Sequence, residues 1–224
     1  MGLKLLTTRN YKTLKGESLG YLTGILHLAP AMLSGHNVCP RSTPGCRAAC
    51  LNTAGHGVFN NTQTARINRT KMMFQDREKF DSLIRWDIEA LVREAYRKDL
   101  KPVVRLNGTS DMPALALKFA REYPSVQFYD YTKIFETLLR KDIPENYDLT
   151  FSRSEANDDE VRKAIDLGFN VAVVFSTPLP DTWWKIPVIQ GDDHDLRFLD
   201  PPGVIVGLSA KGRGKKDMTS FVQR

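Results

Sequence analysis

Apolar and polar positions change their period several times along the chain, and each change marks an element. Residues 21–28, Tyr-Leu-Thr-Gly-Ile-Leu-His-Leu, are apolar enough for a buried strand, which Ala29 and Pro30 end. His27 inside it is expected to be a hydrogen-bonded core histidine. Asn60 or Asn61 is expected to cap a basic helix containing Arg66 and Arg69. The next helix carries Phe80, Leu83, Ile84, Ile88, Leu91, Val92 and Ala95 mostly at three- and four-residue spacing, a core stripe with its charges on the solvent side. From there a strand–helix unit repeats. Strands are expected at 102–107, 126–131, 147–152, 170–175, 187–190 and 204–208. Helices are expected at 114–122, 134–141 and 158–167, the last stopped by Gly168. The core should include Ile25, Leu26, Val103, Val104, Phe128, Val171, Val173, Val174, Ile189 and Ile205.

Such alternation means parallel strands joined by helical crossovers. The expected fold is a single α/β domain over 1–224, a partial TIM-type barrel of about six to seven parallel strands. A doubly wound open sheet is the alternative. Polar clusters follow the strands at 107–111, 130–133, 152–155, 176–177, 190–195 and 209–211. Parallel strands end on one face, so these clusters should converge there, although Ser176-Thr177 and Asp158-Asp159 read better as turn and capping residues.

Composition is that of an ordinary globular chain, and no run approaches the length of a membrane span. The stretch from Met1 to Arg9 is too short and too polar for an export signal, which points to the cytoplasm. The charge is unevenly spread. Residues 1–71 hold nine Lys or Arg against one acid, Glu17, and the segment Lys211-Gly-Arg-Gly-Lys-Lys216 is basic too. A basic end favours an anionic small molecule or nucleic acid as partner, the alternative being a solvated surface.

All three cysteines, Cys39, Cys46 and Cys50, lie in one Gly/Pro-rich loop at 35–57, spaced C-x6-C-x3-C, with His36 and His56 at its margins. Three thiols cannot all pair within the chain. Soft thiolates suit zinc or an iron–sulfur cluster, while packing beneath the loop is the alternative without a metal. A closed zinc site needs His36 or His56 as fourth ligand. A 4Fe-4S cluster on three cysteines leaves one iron open to a substrate or cofactor.

Three cysteines on the loop after the first strand of a parallel barrel resemble the layout of radical S-adenosylmethionine enzymes. The usual spacing there is C-x3-C-x2-C with an aromatic before the last cysteine; Ala49 stands at that place here. The resemblance implies S-adenosylmethionine as cofactor, its amino-acid part held by Asn107, Gly108, Thr109, Ser110 and Asp111, and its ribose or carboxylate by Ser152, Arg153 and Glu155. Asp111, Asp130, Lys133 and Glu155 are then the candidate catalytic groups. Thr13-Leu-Lys-Gly-Glu, Gly20-Tyr-Leu-Thr-Gly-Ile-Leu, Arg105-Leu-Asn-Gly-Thr-Ser-Asp, Tyr129-Asp-Tyr-Thr-Lys and Asp195-Leu-Arg-Phe-Leu-Asp-Pro resemble the gene-product-eighty-eight family of phage proteins. That resemblance covers nearly the whole chain and implies a phage-infected or prophage-bearing cell. Pro44-Gly-Cys-Arg-Ala-Ala-Cys50 is also similar to a segment of another phage family regarded as radical-enzyme-like. The leading expectation is an iron–sulfur enzyme acting on a nucleotide or nucleic acid. Its alternatives are a zinc-stapled basic nucleic-acid-binding protein without catalysis and a hydrolase using Asp111, Asp130 and Glu155 as acid and base.

Overall fold

Apolar runs bounded by turns build a nine-stranded sheet: β1 (Leu6–Thr7), β2 (Tyr21–Leu26), β3 (Lys101–Arg105), β4 (Gln127–Thr132), β5 (Tyr147–Ser152), β6 (Val171–Phe175), β7 (Thr182–Trp183), β8 (Ile186–Gln190) and β9 (Ile205–Ser209). The structure, a computed structural model, describes residues 3–9 and 11–224. Met1 and Gly2, which begin the stretch read above as too short for an export signal, lie outside these, as does Asn10. The strand order is β1-β2-β3-β4-β5-β6-β9-β8-β7. All neighbours from β2 to β8 run parallel, and only the edge strands β1 and β7 are antiparallel. The edges do not pair with each other, so this mixed α/β sheet is open. From β2 to β6 the order has no reversal of the kind that defines a doubly wound sheet.

The helices are α1 (Tyr11–Ser18), α2 (Pro44–Ala48), α3 (Asn60–Gln75), α4 (Arg77–Arg97), α5 (Pro113–Glu122), α6 (Phe135–Leu138) and α7 (Asp158–Asp166). The apolar stripe of α4, with Phe80, Ile84, Ile88 and Leu91, meets one face of the sheet, where Leu22, Leu26 and Val104 are buried. Phe119 of α5 and Val161 of α7 extend the same layer over Phe128, Phe151 and Val173. Asp76 caps α4 by accepting a hydrogen bond from the Lys79 amide at 3.1 Å. Asp87 of α4 accepts from the Leu5 and Leu6 amides, at 2.6 and 2.9 Å, and so ties β1 to the core. Gly168 ends the turn after α7 at φ 83°, a conformation that a side chain would strain.

The opposite face carries a smaller cluster of Val103, Tyr129 and Leu196, and above it a cavity. Alternation along the strands explains one departure from the expected core: Val174 points away from the helices and lines that cavity. Ile189 is half-buried, because β8 is covered by the short β7 hairpin rather than by a crossover helix. Neither Asn60 nor Asn61 caps α3; Phe59 stands at that position without a side-chain bond, and Asn61 accepts from the neighbouring Thr62 amide at 2.8 Å. The helix expected over 134–141 is a single turn, α6, after which Arg140 folds back onto Asp142. Among the described residues no helix is long and apolar enough to cross a membrane.

Candidate metal centre and its cavity

The cysteine loop leaves β2 and returns over the carboxyl ends of the strands. Its folding rests on short-range bonds that the sequence arranges. Thr43 caps α2 by accepting from the Cys46 amide at 3.2 Å, and Pro44 supplies the first helical turn. Glu155 clamps the same turn from the far side: one carboxylate oxygen accepts from the Thr43 hydroxyl at 2.7 Å, the other from the Gly45 amide at 2.6 Å. A methyl group on Gly45 would stand 2.7 Å from that carboxylate, so glycine is required there. After Cys50 the chain is pinned to α3, since the Asn52 side chain accepts from Arg66 and donates to Gln63 at 3.0 Å. Val38 fixes the other arm by accepting from the Asp111 amide at 2.8 Å.

The outcome is one cavity of about 360 Å³ lined by all three cysteines. Cys39 accepts from the Ala31 amide at 3.4 Å, and its thiol reaches the Thr109 carbonyl at 3.7 Å. Burial pushes the Cys39 thiol up to about 11, and burial raises Cys50 as well. Negative charge on Cys46 adds to both shifts, so the sulfurs sense one another across the cavity. Lys133 and the buried Arg66 lie close enough to offset charge on Cys50. Among the described residues no three His, Cys, Asp or Glu side chains are drawn tightly enough around one point to hold a single metal ion. His36 stacks on Phe74 with ring centroids 4.2 Å apart, and His56 lies edge-on to Phe59; neither lines the cavity.

The residues expected to serve the cofactor and the chemistry divide into two groups. Gly108, Thr109, Ser110, Asp111, Lys133 and Ser152 line the cavity with Asn107. Asp111 accepts from the Thr132 hydroxyl at 2.9 Å and the Lys133 amide at 2.8 Å, and burial raises its pKa. Lys133 donates to Ser152 at 2.8 Å. By contrast the side chains of Asn107, Ser110 and Thr109 are already engaged: Asn107 accepts from the Ser110 hydroxyl and the Met112 amide within the turn, and Thr109 donates to the Leu28 carbonyl after β2. Gly108 is needed because a methyl group there would meet the Leu26 carbonyl at 2.7 Å.

Asp130, Glu155 and Arg153 fall outside the cavity lining. Asp130 is buried beneath the turn, accepting from the Asn107 amide and side chain at 2.8 and 2.9 Å and from the Tyr147 hydroxyl at 3.2 Å. Glu155 clamps α2, as described above. Arg153 is buried and grips the Ser220 and Phe221 carbonyls, bringing Phe221 to the cavity wall. Only Asp111 of the three carboxylates named for a hydrolase faces the cavity, so that expected set does not assemble there; the other carboxylates lining it are Asp192 and Asp195, which are bonded to Lys211 and Arg105. Arg66 and Arg69, expected on an outer basic surface, turn inward; Arg66 is 8% exposed, and burial lowers the pKa of both.

Other residues complete the site. His27 lines the cavity just past β2 rather than sitting in the core, and burial lowers it to about 3, leaving a neutral imidazole. Arg105 donates to Asp195 at 2.7 Å and lies 4.6 Å over the Tyr131 ring at the cavity floor. Asp195 also accepts from the Tyr129 hydroxyl at 3.1 Å. A single-letter motif gives no sign of these partners, which come together only across the sheet.

A family model described as Gene product 88 matches residues 4–224. The chain belongs to the Gene product 88 family. No curated protein and no solved structure matches this family member. Of the motifs that resembled the family in sequence, three contribute much of the cavity, although residues 13–17 do not line it: Asn107 through Asp111 form its turn, Lys133 closes the Tyr129–Lys133 segment, and Asp195 holds Arg105.

Burial holds the Asp130 carboxyl up at about 7. A carboxyl that binds its proton more tightly when folded stabilises the protein fully below its unfolded pKa of about 4, and that contribution is lost as pH rises toward the folded value. Urea unfolding between about pH 4 and 7 should therefore show wild type losing stability relative to Asp130→Asn by a few kcal/mol. Parallel pH profiles of the two proteins would contradict this.

Proposed function

We propose that this family member is a phage iron–sulfur enzyme of the radical S-adenosylmethionine type, acting on a nucleotide or nucleic acid, with Cys39, Cys46 and Cys50 as the ligands of a 4Fe-4S cluster. The observation that carries the reading is the convergence of three thiols from one loop on a cavity that also holds Asp111, Lys133 and Ser152. The donor type supports this: three thiols line one shared cavity without closing on a single point, with Arg66 and Lys133 near Cys50 to balance their charge. When bound, such a cluster supplies an iron with no protein ligand, at which a cofactor can be held and reduced. The chain's own part is to bind and orient. Asp111 and Lys133 offer opposite charges suited to the ammonium and carboxylate of an amino acid, and the turn at 107–110 lines the cavity with them. The sequential parallel order from β2 to β6, with α4, α5 and α7 on the outer face, supports a partial TIM-type barrel as the finer description of the fold.

The zinc-stapled alternative draws less support, because its fourth ligand would be His36 or His56, and both rings pack against phenylalanines away from the cavity lining. Purification without oxygen followed by iron, sulfide and zinc analysis tests the reading. A brown protein with about four irons and four sulfides per chain is expected. Stoichiometric zinc without sulfide, or a colourless protein after anaerobic reconstitution with iron and sulfide, would overturn it.

A further inference from the structure

Three tight helical turns cluster around Leu51–Thr53, and two of them line the cavity through Leu51 and Gly214. Gly55–Val58 and Gly212–Lys216 both rest on Leu51–Thr53, although some 160 positions separate them. The close seat of the later turn depends on Gly212, where a methyl group would come within 2.8 Å of the Thr53 carbonyl. The earlier turn presents His56 and Phe59, rings 5.5 Å apart and edge to face, with Phe59 53% exposed. The later one presents Arg213, Lys215 and Lys216, all exposed and, among the described residues, held in no ion pair. Lys211, closer to the cavity, is by contrast paired with Asp192 at 2.6 Å. Leu51, also exposed, lines the cavity on the same edge. The basic stretch has no aromatic residue within it in sequence; folding brings its turn and the turn that precedes Phe59 onto the same Leu51–Thr53 segment.

We propose that this rim binds single-stranded nucleic acid. Arg213, Lys215 and Lys216 neutralise phosphates, and one unstacked base lies on the exposed face of Phe59, so that the strand crosses the mouth of the cysteine cavity. An exposed aromatic platform combined with exposed cations is the arrangement that recognises a strand by stacking and charge without reading its sequence. A duplex keeps its bases stacked and offers nothing to Phe59. A free mononucleotide seated in the cavity would have no use for three cations outside it. The inference rests on the enzyme reading above only in making the bound strand the substrate.

Fluorescence anisotropy with labelled single-stranded DNA and RNA 12-mers and a matching duplex tests it, using the full chain purified without oxygen. Single strands should bind at least tenfold more tightly than duplex. Log affinity should fall against log salt with a slope of about −2, three cations each contributing ~0.7. Lys215→Glu with Lys216→Glu should weaken binding more than tenfold and flatten the slope by at least one unit. Phe59→Ala should weaken it roughly tenfold at an unchanged slope. Circular dichroism checks that each variant is folded. The proposal fails if neither oligonucleotide binds at low salt, if duplex binds equally well, or if the lysine variant binds like wild type. Iron and sulfide measured on the same sample keep the two ideas apart. An intact cluster without strand binding sinks this inference alone, and strand binding without a cluster sinks only the enzyme reading.

Discussion

Alanine in place of Cys39, Cys46 or Cys50 is expected to remove the iron and sulfide of the anaerobically purified protein while leaving its fold in place. None of the three thiols is fully buried, and the loop that carries them has other anchors. Glu155 holds the Thr43–Gly45 turn, Asn52 joins the segment after Cys50 to α3, and the Asp111 amide donates to Val38. Losing one sulfur therefore costs about 1–2 kcal/mol of stability, a melting shift below ~8 °C for a domain of this size. Two remaining thiolates cannot hold a cubane. Far-UV circular dichroism and metal analysis on the same samples check both halves. A variant that keeps its iron shows that the missing cysteine was no ligand, and one that unfolds shows that the cysteines serve the fold.

The largest effect on stability is expected at Asp195. Its carboxylate and the Arg105 guanidinium are paired at 2.7 Å with side-chain exposures of 8% and 12%, and the Arg105 Nε already lacks a partner. Asp195→Ala leaves that buried cation uncompensated, which costs roughly 3–5 kcal/mol, or about 10–15 °C in melting temperature. Asp195→Asn keeps an oxygen for Arg105 and should lose about half as much. Removing both charges together, as Arg105→Met with Asp195→Leu, should recover most of the loss, since a well-packed apolar pair is not inferior to a buried ion pair. Thermal melts of the four proteins decide it. Equal melting temperatures for wild type and Asp195→Ala would show that the pair does not support the cavity floor.

The parallel strands were legible because their signal is local. β5 runs from Tyr147 to Ser152 as expected, and the other interior strands shift by only a residue or two at their ends. The edge strands β1 and β7 were not legible: two residues each, they exist only through pairing with a neighbour. At the site, residue type told which side chains carry chemistry but not which way they point. Asp111, just after β3, and Asp130, near the end of β4, read alike, yet one lines the cavity and the other lies under the turn that frames it. Arg66 counted as surface charge because nothing in a helical pattern shows that Asn52 will come back to meet it. Glu155 looked catalytic for want of any sign that its partners were Thr43 and Gly45, more than a hundred positions earlier. Phe221, at the cavity wall, carried no local signal at all.

That wall brings order of synthesis into the picture. Phe221 is held by Arg153, and the Gln223 backbone bonds to Val174 and Ser176 of the sixth strand and its end, so the segment that closes the cavity docks on elements made well after the thiols. It follows Cys50 by roughly 170 positions, and at ~5–20 residues per second a ribosome makes the cysteines on the order of ten seconds before the wall that shelters them. Through that interval the loop is open on the wall side. Metal donors have their widest access to the nascent chain then, and so do oxidants. The yield of protein carrying the proposed cluster should accordingly depend on how fast the rest of the chain follows.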